Sequence, residues 1–156
     1  MPLLPVNEIF YLCQVWQFNF CIHSAKSTKS TMFMWNESQG HKGVNDVVSC
    51  LNNYITKVLS AEVDSLYLFS DGCIGQNKNM KVVQYPITLV ASGRLKCITH
   101  YFPVKCHSFL PCDTSFTRIE KIKRKKEKVE TPREWEDIVK NEANFNVETF
   151  KNTNNT

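Results

Sequence analysis

The chain has 156 residues, 42% of them hydrophobic and 22% charged, with a formal net charge of +4. That is the size and composition of one ordinary globular domain, and it excludes a largely disordered or collagen-like chain. No run approaches the roughly 18 apolar residues needed to span a bilayer as a helix.

Two features qualify those totals. Seven cysteines (Cys13, Cys21, Cys50, Cys73, Cys97, Cys106 and Cys112) follow a start, MPLLPVNEIFYLCQ, that lacks a basic n-region and a long apolar run. Free thiols in a reducing, intracellular setting are the expectation. The positive charge is local. Residues 118–128, RIEKIKRKKEK, carry a net of +5, which leaves the remainder near −1.

In chain order, Pro2 and Pro5 oppose helix at the start. The hydrophobic stretch Phe10 to Ile22 supplies a strand centred on 15–22. HSAKSTKS turns the chain into a second strand over 31–37, so the pair reads as a hairpin. Residues 43–59 carry Val44, Val47, Val48, Leu51, Ile55, Val58 and Leu59 at three- and four-residue steps, an amphipathic helix beginning at Gly43 or Asn45. VDSLYLFS (63–70) is a short apolar strand ending at Asp71, and Gly72 and Gly75 mark a tight turn. NMKVVQYPITLVAS is a second helix, kinked at Pro86 and stopped at Gly93. LKCITHYF (95–102) is another strand. A helix begins near Pro111. Thr131, Pro132 and Glu134 form the N-cap, first-position and capping-box pattern of a short last helix to about Lys140. FNVETF adds a late edge strand, and residues 151–156 form a disordered tail. A helix on each crossover implies parallel pairing of the later strands.

Three places carry candidate chemistry. Asp71 follows a buried strand, where a carboxylate can hold a divalent cation or simply cap the turn. Gln76, Asn77 and Asn79 after it can orient a phosphate, a metal-bound water or a base edge, or cap the next helix. In CHSFLPCD, His107 and Asp113 can face one crevice. Cys106, His107 and Cys112 also invite a zinc reading, against buried thiols beside a hydrogen-bonded histidine. Glu120 lies two helical turns after Asp113, as a metal ligand or as a partner of the adjacent lysines. The basic residues Lys121, Lys123, Arg124, Lys125 and Lys126 suit phosphate contact or nuclear import, against a solvated helix end.

The segments FYLCQVWQFNFCIH (10–23), MWNESQGHKGVNDVVSCL (34–51), LYLFSDGCIGQNKN (66–79) and HYFPVKCHSFLPCDTSFTRIEK (100–121) together resemble an uncharacterised domain family found in transposon-derived proteins of insects and other animals. The resemblance spans about residues 5–150. It implies an α/β, ribonuclease-H-like mixed sheet with flanking helices, of the DDE-transposase superfamily, as a single domain over residues 1–150. The implied activity is metal-dependent cleavage or strand transfer on DNA. Asp71 would be the second acidic residue, Asp113 the third and His107 their neighbour, with magnesium or manganese between them. The first acidic residue and its core strand would precede Met1, so the domain is expected to be incomplete and catalytically impaired. Cys106 stands where the family tends to have glycine. The alternative is a non-catalytic nucleic-acid-binding or protein-interaction module, and exposed sheet edges would favour self-association.

Overall fold

The computed structural model describes residues 15–73, 75–104, 109–126, 131–143 and 145–149. The elements, in order, are β1 (Gln17–Ser24), β2 (Lys29–Asn36), α1 (Val44–Asn53), β3 (Ser65–Phe69), α2 (Met80–Ala91), β4 (Cys97–Tyr101), α3 (Pro111–Lys123), α4 (Pro132–Asp137) and β5 (Asn146–Thr149). The chain is therefore α/β. The expected tail, 151–156, and the segment before Val15 lie outside the described residues. No described helix is long and apolar enough to cross a membrane.

Two compact units divide the chain. The first combines Met1–His41 with Pro111–Thr156, and the second is Lys42–Leu110.

In the first unit, β1 and β2 form the expected antiparallel hairpin, with Phe18 opposite Trp35 and His23 opposite Ser30. β5 pairs parallel to β2, so the sheet order is β1-β2-β5 and β2 is central. The position of β2 accounts for its composition. Thr31 through Trp35 are all buried, without the in–out alternation of a half-exposed strand. Met32 and Met34 project to the same face and pack with Ile119 of α3 and with Val139 and Ala143 after α4. Phe116, Ile122, Trp135, Phe145 and Val147 flank that core. Thr131 caps α4 as its sequence implies: its Oγ1 accepts from Glu134 N at 3.2 Å, and the Glu134 carboxylate accepts from Thr131 N at 3.4 Å.

In the second unit, β3 and β4 pair in parallel, in register from Ser65 with Cys97 to Phe69 with Tyr101. α2 is their crossover. Ile55, Leu89 and Leu95 make the core, with Leu59, Val63, Leu66, Tyr85 and Ile98 around them. Tyr85 donates to the Asn52 side chain at 3.0 Å, tying α2 to α1. α2 runs through Pro86 rather than ending there. The local loss is one N–H, the one the Val82 carbonyl would otherwise receive. Gly93 stops the helix with φ of 75°, a conformation open to glycine at little cost.

One expectation is refined. The amphipathic stretch 43–59 is α-helical only to Asn53, and Tyr54–Val58 continue as a π-helical turn. Thr56 Oγ1 donates back to the Asn52 carbonyl at 2.8 Å, competing with the backbone ladder where the turn widens. A second π-helical turn, Ile138–Glu142, extends α4.

Candidate functional site

Asp71 lies just past the carboxyl end of β3, exposed, in the loop leading to α2. Its Oδ1 accepts from the Asn77 side-chain amide at 2.7 Å and from Cys73 N at 3.2 Å. Asn79 caps α2, its Oδ1 accepting from Lys81 N at 3.0 Å. The Gln76 backbone N–H donates to the Cys73 carbonyl at 3.2 Å. Asp71, Asn77 and Asn79 thus hold the loop and the helix start. Among the described residues these bonds engage one of the two Asp71 carboxylate oxygens.

A residue the sequence reading missed stands beside Asp71. His100 of β4 shares a 2.8 Å hydrogen bond between its Nε2 and Ser70 Oγ. Its Nδ1 is buried without a partner, and its ring lies 4.2 Å from that of Phe102. Burial pulls the His100 pKa below the ordinary histidine value, because the site solvates the cation poorly. Only its period-two position in an apolar strand hinted at burial in the sequence.

In the other unit, Asp113 is in the first turn of α3 and Glu120 is seven residues on, so about two turns separate them along one side. Both are exposed. Glu120 pairs with Lys123 Nζ at 3.4 Å. Lys123 is half-buried and lies over the Trp135 ring at 5.8 Å. Lys121, Arg124, Lys125 and Lys126 are exposed at the carboxyl end of α3. His107 and Cys106 lie outside the described residues. Among the described residues, no group of three or more His, Cys, Asp or Glu side chains is placed to hold a metal ion.

The hairpin, α3 and the start of β5 enclose a pocket of about 550 Å³ that sequence reading also missed. His23, Lys29 and Arg118 line it with the hydroxyls of Thr28, Ser30, Thr114 and Ser115, and among the described residues no carboxylate does. Two buried hydroxyls organise its floor. Ser30 Oγ lies 2.9 Å from Ser115 Oγ and 2.9 Å from His23 Nδ1. Arg118 is held over the Phe145 ring at 5.6 Å. Lys29 and Arg118 give this concave surface charge of one sign among its described lining residues, an arrangement suited to an anion.

A family profile described as a domain of unknown function (DUF7869) matches residues 19–155. The chain belongs to that family. No curated protein matches it, and no solved structure does. The DUF7869 match includes Asp71, His100, Asp113, the pocket and the basic end of α3.

Proposed function

We propose that this DUF7869 chain binds the phosphate backbone of DNA through α3 and the pocket beside it. The observation that carries the reading is the pocket lined by His23, Lys29 and Arg118, the last on the helix whose other end bears Lys121, Arg124, Lys125 and Lys126. Arg118 lies between the two and joins them into one anionic-ligand surface. Arginine and lysine contacts of this kind fix affinity rather than sequence, so binding is expected to be salt-sensitive and weakly selective. The same basic run suits nuclear import, which would place the chain with its ligand. Duplex DNA in a gel-shift assay tests this. Changing Arg124, Lys125 and Lys126 together to glutamine should weaken binding at least tenfold while Asp71→Asn leaves it intact. Equal affinity of the triple variant and the native chain would refute it.

A second reading has its own support. The resemblance to transposon-derived domains, with a hairpin followed by parallel strands joined by helices, favours a ribonuclease-H-like ancestry. Asp71 stands at the carboxyl end of a parallel pair, the usual position for a ligand-binding residue in such sheets. On that reading Asp71 is a remnant of a magnesium- or manganese-dependent phosphodiester site with little activity left. Calorimetric titration with either ion, on the native chain and on Asp71→Asn and Asp113→Asn, separates the two readings. Binding lost in both variants supports a surviving metal site. Self-association through sheet edges belongs to the same reading and is measured by sedimentation.

A further inference from the structure

Cys21 of β1 and Cys112 of α3 are 91 residues apart in sequence and in contact in the fold. The Cys112 thiol donates to the Cys21 carbonyl oxygen at 3.5 Å, and the His23 backbone N–H favours the thiolate form of the same sulfur. These are groups that a neighbouring strand would take at the edge of β1, which is an outer strand of its sheet. The two thiols are near enough to influence each other's ionisation, and the Ser30 and Ser115 hydroxyls act on the Cys21 thiol as well. Both cysteines are half-buried, whereas Cys73 and Cys97 are exposed and Cys50 is fully buried.

We infer that Cys21 and Cys112 form a redox-active dithiol, with Cys112 as the nucleophile toward hydroperoxides and Cys21 as the resolving thiol. The inference is independent of DNA binding.

The chemistry follows from the placement. Cys112 is in the first turn of a 13-residue helix, where the helix end favours an anion. The Cys21 S–H and the His23 N–H both stabilise its thiolate, and its pKa is lowered, with the Cys21 hydrogen bond the main cause. The pKa of Cys21 is raised for the complementary reason, because losing its proton would leave two thiolates side by side. One sulfur therefore ionises and the other keeps the shared proton. The Cys112 thiolate attacks the terminal oxygen of a hydroperoxide. An S–O bond forms, the O–O bond breaks, and the alkoxide leaves and takes up the proton that Cys112 had released. The product is a sulfenic acid at Cys112. Cys21 then attacks that sulfur. The S–S bond forms as the S–O bond breaks, and the departing hydroxide takes the Cys21 proton as water. Two thiols and one hydroperoxide give a disulfide, an alcohol and water.

The test treats the full native chain with hydrogen peroxide and maps its cysteines by mass spectrometry. The expected product is a cross-link between the Cys21 and Cys112 peptides with loss of two hydrogens, formed before Cys73 or Cys97 is modified. In Cys21→Ser, the sulfenic acid should persist at Cys112 and be trapped by dimedone. In Cys112→Ser, Cys21 should stay unmodified. The mapping on the native chain stands whether or not either variant folds. Oxidation of Cys73 or Cys97 first, or a cross-link joining any other pair, would overturn the assignment, as would a native chain whose Cys21 and Cys112 stay reduced.

Discussion

Ser30 Oγ and Ser115 Oγ meet at 2.9 Å in a buried position, although 85 residues separate them. The contact joins the hairpin to α3 and sets the floor of the pocket between them. Ser115 can also reach the Pro111 carbonyl, at 3.4 Å. Ser30 retains His23 if Ser115 is lost. Ser115→Ala should therefore destabilise the chain by about 1 kcal/mol, toward the low end for a buried hydroxyl losing its partner. The Ser30→Ala, Ser115→Ala double variant should be less destabilised than the sum of the single variants, because the hydrogen bond the two hydroxyls share is lost in each single variant but only once in the double. Urea unfolding measures both, and strict additivity would show that the hydroxyls do not depend on each other.

Asp71 offers a cleaner separation of structure from chemistry. Asparagine at 71 keeps the Oδ1 that accepts from Asn77 and Cys73. Asp71→Asn should leave stability within a few tenths of a kcal/mol, whereas Asp71→Ala should cost about 1 kcal/mol. If both variants are equally destabilised, the carboxylate charge rather than its hydrogen bonds holds the loop.

The strands and helices could be read from the chain largely because their signals are local. Val44, Val47, Val48 and Leu51 repeat at helical spacing, and Thr131, Pro132 and Glu134 spell a helix start. The unbroken run Thr31–Trp35 fits a central strand covered on both faces. The π-helical turns were not legible, since Ile55 and Val58 match either helical geometry to within a residue. The pocket was not legible for a different reason. His23, Lys29, Arg118 and Ser115 carry no shared motif and meet only when α3 packs on the hairpin. At Asp71 the sequence left a cap and a cation ligand open. The observed hydrogen bonds account for one carboxylate oxygen and leave the other to be tested.

His100 makes stability depend on pH. Its folded-state pKa is held below the ordinary histidine value by burial. As pH falls, the unfolded chain takes up this proton first. The contribution is complete above about pH 6.5, the ordinary value, and is lost as pH falls through the folded-state value. His100→Gln should flatten the stability profile just below about pH 6.5, where the unfolded histidine titrates. Identical profiles for the variant and the native chain would place the dependence elsewhere.

Thr28 closes the β1–β2 turn with φ of 54°, in the left-handed region that a β-branched residue rarely adopts. Its Oγ1 donates to the Ser27 carbonyl at 2.7 Å, a small local compensation. Thr28→Gly should raise stability by about 0.5–1 kcal/mol, since relief of the left-handed strain exceeds the added flexibility of the unfolded chain. A thermal melt measures it, and a lower midpoint would mean that the hydroxyl outweighs the strain.

A phosphate-binding surface on α3 is tested most directly by the salt dependence of duplex DNA affinity, followed by fluorescence anisotropy. Log affinity should fall linearly with log salt, with a slope of roughly −0.9 per phosphate contacted. Arg118→Gln and the combined Arg124, Lys125 and Lys126 to glutamine variant should each make that slope shallower. An affinity that does not change with salt, or slopes that the variants leave untouched, would contradict the account.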